Sequence, residues 1–154
     1  MTKPNREERR QWAWHVAVYG PPAAGKSALV EAAARAGYPA LDLEQFGGSF
    51  EERRARLDKW GTNAPSSLLG AADIPPEAFP ANTKFVLLAP SPEELVRRVR
   101  RRGDRRDHKW IDKALQVRSE HLEMASEGVF DLVITDEGSP DQVLERLVRG
   151  FAAL

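Results

Sequence analysis

The sequence predicts a single α/β domain in which a five-stranded parallel sheet carries helices on both faces. Short apolar segments alternate along the chain with longer helix-forming ones, which is the pattern of strands followed by helices. Strands connected through helices pair in parallel, because each crossover returns the chain to the same end of the sheet. The 154 residues have the length of one ordinary domain, and no repeat or low-complexity linker divides them.

The strands are predicted from short apolar segments, namely residues 15–19, 38–43, 66–72, 85–89 and 130–135. The helices are predicted from longer segments rich in alanine, leucine and charged residues, at 26–36, 49–60, 91–102, 109–126 and 140–149. The third of these helices has a clear start, with Ser91 at the N-cap, Pro92 at the first position and Glu94 following. Residues 1–11 are a polar lead-in, for which we expect little order.

Composition excludes several kinds of protein. Lysine plus arginine and aspartate plus glutamate both number 23, so a generally basic nucleic-acid binder is disfavoured. The chain has no cysteine, which excludes disulfides, thiolate metal sites and a cysteine nucleophile. No apolar segment is long enough to cross a bilayer, and the polar start does not resemble a signal peptide. We therefore expect a cytoplasmic protein without a membrane partner, either a monomer or a homodimer.

The first functional motif lies between the first strand and the first helix. Gly20 to Ser27 matches G-x-x-x-x-G-K-[ST] in full, so we expect a P-loop in which backbone N–H groups bind phosphates. Lys26 is predicted to reach the β- and γ-phosphates and Ser27 to ligate Mg²⁺. At Ala23, where many such loops have glycine, we expect a negative φ, because alanine tolerates positive φ poorly. The predicted nucleotide-binding residues here are Gly20, Pro21, Pro22, Ala23, Ala24, Gly25, Lys26, Ser27 and Ala28.

A second motif, Asp42-Leu43-Glu44, ends the second strand. With the P-loop it resembles the P-loop kinases of small molecules, a group that includes the nucleoside monophosphate, shikimate and gluconate kinases. The shikimate kinases have Asp-x-Asp here. The resemblance implies that Asp42 helps to hold Mg²⁺ and orients or deprotonates an acceptor hydroxyl, with Glu44 as the second choice. The alternative is that Asp42 caps a helix or is a solvated acid.

Three further segments, 85–95, 101–103 and 130–134, resemble the closing half of guanylate kinase. That resemblance implies a lid at about residues 101–109, whose cations Arg102, Arg105 and Arg106 act on the transferring phosphoryl group. Ala114 stands where the family often has arginine, and Arg118 is one turn further on. The other arginines of the preceding helix are expected on a solvated face, namely Arg97, Arg98, Arg100 and Arg101.

The segment after the last strand, residues 135–143, resembles the loop that packs on adenine in enzymes similar to adenylate kinase. The resemblance implies that Gly138, Ser139 and Pro140 contact the base. The alternative is that Gly-Ser-Pro only begins the last helix.

The third predicted strand leads to Asp73, a candidate Mg²⁺ ligand, and contains Gly70, which would let a ligand approach closely. The alternative for Asp73 is an ordinary loop acid. Residues 45–67 are the predicted acceptor segment, in which Arg53 or Arg56 could bind a phosphate or carboxylate of the acceptor. Trp60 could stack on a base, but we expect it to pack, as we expect for Trp12, Trp14 and Trp110.

These features predict an ATP- and Mg²⁺-dependent kinase of a small acceptor, either a nucleoside monophosphate or a hydroxyl compound. Two alternatives stay open. The basic sequence 97–109 could serve a kinase that acts on a nucleic-acid hydroxyl, and the departure at Ala114 could indicate a nucleotide-binding module without activity. A GTPase is disfavoured, because residues 82–85 do not form the guanine-reading Asn-Lys-x-Asp motif.

Overall fold

The computed structural model describes residues 11–46, 48–63, 65–71, 74–102, 107–135 and 138–152. Its strands form one parallel sheet in the order β2-β3-β1-β4-β5. They are β1 (His15–Tyr19), β2 (Ala40–Asp42), β3 (Leu68–Gly70), β4 (Thr83–Leu88) and β5 (Leu132–Ile134). The five-stranded parallel sheet predicted from the sequence is therefore confirmed.

Five α-helices connect and follow the strands in the described part of the chain. They are α1 (Lys26–Arg35), α2 (Phe50–Asn63), α3 (Pro92–Arg101), α4 (Asp107–Ser126) and α5 (Pro140–Ala152). Short 3₁₀ turns lie at Leu43–Phe46 and Pro76–Ala78. Ser91 caps α3 as predicted, since its Oγ accepts a hydrogen bond from the Glu94 N–H at 3.1 Å. None of the described helices combines the length and the apolar character needed to span a bilayer.

The helices pack on both faces of the sheet because successive strand side chains point to opposite sides. Val16 and Val18 of β1 lie in a core with α1 and α5, whereas Ala17 and Tyr19 lie in a second core with α2 and α4. Each face of the sheet is thus apolar, as expected for a parallel sheet covered on both sides.

The strand order places a crevice beside β1. The connection that leaves β1 runs toward β2 on one side, and the connection that leaves β4 runs toward β5 on the other. Open α/β sheets bind ligands where the connections diverge in this way, at the carboxyl ends of the strands. The P-loop follows the carboxyl end of β1 and therefore lies in this crevice.

Three of the four tryptophans pack as predicted. Trp12 stacks on Tyr38 with ring centroids 4.4 Å apart, and Trp14 lies against Phe151 with centroids 6.4 Å apart. Trp60 packs on His15 at the amino end of β1, with centroids 5.3 Å apart. The P-loop lies at the other end of that strand, so Trp60 belongs to the core and not to the crevice.

His15 gives the fold a pH-dependent contact. Its ring is buried, and its Nδ1 accepts a hydrogen bond from the Ser67 N–H at 3.2 Å. Burial lowers the pKa of His15 below its ordinary value of 6.5. A histidine whose folded pKa is lowered stabilises the fold above the unfolded pKa, and this stability is lost as the pH falls toward the folded pKa.

We expect His15→Asn to weaken the dependence of stability on pH, because an asparagine oxygen can accept the Ser67 hydrogen bond but does not titrate. The measurement is Tm between about pH 7.5 and pH 5, the interval in which an unperturbed histidine gains its proton. Wild type should lose more Tm than the variant as the pH falls. His108 is exposed, so His108→Gln is the matched control and should follow wild type. Identical curves for wild type and His15→Asn would show that His15 has the same pKa in the folded and unfolded states.

Candidate active site

The P-loop connects β1 directly to the first turn of α1. Gly25 precedes α1 with a φ of +100°, and no side chain caps the helix. The first-turn N–H groups of an uncapped helix favour anions, which the helix dipole also attracts. Gly20 must be a glycine, since a Cβ there would lie 2.9 Å from the Ala24 Cβ and 3.0 Å from the Leu88 carbonyl oxygen. The first residue of the predicted P-loop thus packs closely against β4.

Ala23 has a φ of +69°, so the predicted negative φ is wrong. The left-handed conformation places the Ala23 and Ala24 carbonyl oxygens within reach of Arg98, whose Nη1 donates to them at 3.3 Å and 3.0 Å. Ala23 is also buried against Val99 and Ala114. Ala23 thus contacts two helices while it has a conformation that alanine alone disfavours.

Lys26 lies against its own loop. Its Nζ donates to the Gly20 carbonyl oxygen at 2.6 Å. Burial lowers the pKa of Lys26, the carboxylates of Glu44 and Asp42 oppose this change, and the Arg102 charge adds to it. These electrostatic partners indicate that the predicted catalytic cation, the two acids after β2 and one lid arginine all lie close to the same site.

Asp42 and Ser27 are in direct contact. The Ser27 Oγ donates to Asp42 Oδ2 at 2.8 Å, and Asp42 Oδ1 accepts a hydrogen bond from the Glu44 N–H at 3.1 Å. Asp42 is 7% exposed, so the alternative of a solvated acid is wrong, while its bond to Glu44 does cap the 3₁₀ turn. Gly70 lies beside it in the β2–β3 register, and a Cβ at 70 would lie 3.1 Å from Asp42 Oδ1. Gly70 therefore makes room for the carboxylate; its predicted contact with a ligand stays a prediction.

The hydroxyl of Ser27 and the carboxylate of Asp42 are oxygen donors of the kind that Mg²⁺ prefers. Across the described ranges, no three histidine, cysteine or acidic side chains gather into a group that could hold a metal alone. That arrangement fits Mg²⁺, which binds one or two protein ligands and completes its shell with phosphates and water. Asp73, the other predicted ligand, lies outside the described residues.

A cleft of about 950 Å³ opens in front of the P-loop. Its lining combines P-loop residues with groups from the 3₁₀ turn after β2, from α3 and α4, and from the loop after β5. Besides residues 22–29, the lining includes Glu44, Glu94, Arg98, Arg101, Arg102, Trp110, Gly138, Ser139 and Pro140. The fold thus brings the predicted phosphate-binding, lid and adenine-contacting residues to one cavity.

The lid predictions have mixed outcomes. Arg102 lines the cleft, whereas Arg105 and Arg106 lie outside the described residues. The predicted solvated face is wrong for Arg98, which is hydrogen-bonded to the P-loop, whereas Arg101 is exposed as predicted and also lines the cleft. Arg97 and Arg100 are exposed, as predicted.

The departure at Ala114 has a packing explanation. Ala114 is 1% exposed and packs against Ala23, so the α4 surface at this point is filled by the P-loop itself. Arg118, one turn further on, donates from Nε to the Pro90 carbonyl oxygen at 2.8 Å. Since Pro90 lines the cleft, Arg118 reaches its edge from α4.

The loop after β5 caps α5 and also lines the cleft. Ser139 and Gln142 form a reciprocal cap at the start of α5, with N–H to side-chain oxygen distances of 2.8 Å and 3.3 Å. Gly138, Ser139 and Pro140 also line the cleft, so contact with a base stays a prediction that the geometry permits. Trp110 was expected to pack; instead it is 41% exposed and lines the same cleft. The feature of the sequence that could have indicated this exposure is the position of Trp110 at the start of α4, directly after the predicted lid residues.

Only one of the charged residues predicted to bind the acceptor lines the cleft. Glu44 lines the cleft, but Arg53 is half-buried and Arg56 exposed on α2, and neither of them does so. A role for either arginine in acceptor binding therefore remains a prediction without support from the cleft.

The structure is similar to several solved structures of P-loop kinases over nearly its whole length. Shikimate kinase from Acinetobacter baumannii, solved with shikimate, has a TM-score of 0.69 at 17% identity, with 97% of this chain and 98% of that chain covered. The chain has the fold of the small-molecule P-loop kinases. A gluconokinase from Sinorhizobium meliloti 1021 has a TM-score of 0.66 at 16% identity, with 94% of each chain covered.

The YorR protein from Bacillus subtilis, solved with phosphorylated GDP, has a TM-score of 0.59 at 18% identity, with 89% of this chain and 95% of that chain covered. No protein-family model matches the sequence, and no curated protein matches it either. The resemblance stated from the P-loop and the Asp42 motif is confirmed at the level of the fold.

Proposed function

We propose that this chain is an ATP- and Mg²⁺-dependent phosphotransferase that moves the γ-phosphoryl group to a small acceptor. The observation that carries the proposal is the contact between Ser27 and Asp42 beside the P-loop. A loop that only bound a phosphate would not need a buried carboxylate hydrogen-bonded to its serine. A carboxylate and a hydroxyl beside bound phosphates are what Mg²⁺-dependent phosphoryl transfer requires.

In this proposal Lys26 binds the β- and γ-phosphates, and the P-loop N–H groups orient them. Ser27 Oγ and Asp42 would hold Mg²⁺, which neutralises charge on the phosphate oxygens when bound. Arg102 provides a second positive charge from the lid side, and residues 138–140 lie on the side of the base. Lys26 reaches the nucleotide by exchanging its hydrogen bond to Gly20 for one to a phosphate.

The acceptor we propose is a hydroxyl compound. Asp42 is held by Ser27 and the Glu44 N–H at the carboxyl end of β2, so its carboxylate is oriented before any substrate binds. A hydroxyl acceptor benefits from a carboxylate that orients it or takes its proton, whereas a phosphate acceptor is already anionic. The similar structures of shikimate kinase and gluconokinase support the same choice. A nucleoside monophosphate is the alternative acceptor and belongs in the same test.

The test is a coupled ADP-release assay with ATP and Mg²⁺ against sugar acids, cyclic hydroxy acids, nucleosides, nucleoside monophosphates, and single- and double-stranded DNA. We expect one hydroxyl compound to raise turnover far above the rate with ATP alone. Turnover only with a nucleoside monophosphate would keep the kinase and overturn the hydroxyl acceptor. Salt-sensitive turnover with DNA would favour the nucleic-acid alternative. ATP binding without turnover on any acceptor would contradict a small-molecule kinase and favour a non-catalytic module.

A further inference from the structure

The side chain of Arg98 lies against the P-loop instead of in solvent. Its Nη1 donates to the carbonyl oxygens of Ala23 at 3.3 Å and Ala24 at 3.0 Å, and only 22% of the side chain is exposed. Its Nε donates to Glu94 Oε1 at 3.0 Å. One guanidinium thus joins α3 to two successive peptide units of the loop.

Glu94 is itself held in place. It is 7% exposed, its backbone N–H is bonded to the capping Ser91, and its second carboxylate oxygen pairs with Arg97. A carboxylate fixed by the helix start and by Arg97 can orient the Arg98 guanidinium, because a guanidinium donates in a rigid, planar pattern. The direction of Arg98 therefore follows from the first two turns of α3.

The loop needs such support at Ala23. Among the described residues, Ala23 is the non-glycine residue with a positive φ, a conformation that its Cβ disfavours. The peptide unit is planar, so holding the Ala24 carbonyl oxygen also orients the Gly25 N–H on the opposite side of that unit. The Ala24 N–H is used within the loop, where it donates to the Pro21 carbonyl oxygen at 3.0 Å. Fixing these carbonyls thus determines where the next N–H groups point.

We propose that Arg98, oriented by Glu94, is a positioning residue that keeps the P-loop in its phosphate-binding shape by holding Ala23 in the left-handed conformation. The proposal rests on one part of the proposed function, namely that the P-loop binds a nucleotide. It predicts a specific dependence: a glycine at position 23 would adopt positive φ without strain, so the loop would then need Arg98 less.

The test is a double-mutant cycle with Arg98→Gln and Ala23→Gly, singly and combined, in which the Kd for ATP and the Tm without ligand are measured. Arg98→Gln should weaken ATP binding by about tenfold, the effect of losing one charged hydrogen-bond set. In the A23G background the same substitution should cost at least about threefold less. The Tm should show the same coupling. Arg98→Lys keeps the charge without the planar donors, so it should fall between wild type and Arg98→Gln.

Arg100→Gln is the matched control, because Arg100 is exposed on the same helix and does not line the cleft, and it should bind ATP as wild type does. Wild-type affinity and Tm for Arg98→Gln would overturn the proposal. So would a loss of equal size in both backgrounds, since Arg98 would then act without Ala23. If wild type itself did not bind ATP, the proposed function would fail, and the Tm cycle would still decide whether Arg98 holds Ala23.

Discussion

Lys26→Met is expected to lower kcat by at least about 100-fold, the loss seen when one preorganised group that stabilises transition-state charge is removed. The Lys26 ammonium lies on the P-loop, hydrogen-bonded to the Gly20 carbonyl, at a partly buried position that lines the cleft. Methionine keeps the length of the side chain and most of its packing, so the fold should survive. The measurement is kcat and KM for the acceptor found by the panel, together with Tm.

Lys113→Met is the matched control, because Lys113 is an exposed lysine of α4 that does not line the cleft. It should retain wild-type kcat. A Lys26→Met protein that folds and turns over at the wild-type rate would contradict the assignment of Lys26 to the transferring phosphates. Loss of ATP binding in a protein whose wild type has no turnover would instead identify a nucleotide-binding module.

Asp42→Asn is expected to lower kcat by about 10²–10⁴-fold, the usual contribution of a general base or its equivalent. Asparagine can use its oxygen for the Glu44 N–H and direct its amide N–H to the Ser27 oxygen, so the substitution removes charge with little change of shape. ATP binding without Mg²⁺ should change little, because the P-loop itself is intact. The measurement is kcat over a range of Mg²⁺ concentrations.

The Mg²⁺ dependence separates the two roles of Asp42. Recovery of the rate at high Mg²⁺ would mean that Asp42 only holds the metal, and would weaken the case for a hydroxyl acceptor. A loss that Mg²⁺ does not restore would support a carboxylate that acts on the acceptor. Asp112→Asn, at an exposed acid of α4, is the control for a change of charge alone. An Asp42→Asn enzyme with full activity would contradict both roles.

Local sequence was enough to predict the elements and the loop. The P-loop motif has a fixed spacing, and its internal hydrogen bond from the Ala24 N–H to the Pro21 carbonyl oxygen joins residues three positions apart. The Ser91 cap of α3 is equally local, since its contact spans three residues. Such features depend on contacts within one turn, and those contacts follow from the order of residues.

The residues that were predicted wrongly depend on distant contacts. Ala23 has a positive φ in a loop that contacts α3 and α4, against the intrinsic preference of alanine for negative φ. Arg98 stands in a run of arginines that all appear suited to solvent, yet its partners lie 74 and 75 residues earlier in the chain. Helical periodicity places Arg98 nearer than Arg97 to the buried Leu95, but it cannot show that the Arg98 side chain reaches the P-loop.

The sequence by itself determined the sheet, its helices and the P-loop, since these follow from apolar periodicity and from a motif of fixed spacing. Only the tertiary structure decided which charged groups share the site. The parallel register that sets Asp42 beside Gly70 also brings Asp42 to Ser27, and the α3 packing brings Arg98 to the P-loop. The sequence does not show whether a charged side chain is solvated or hydrogen-bonded to a carbonyl group, because only the folded chain brings the partner into contact.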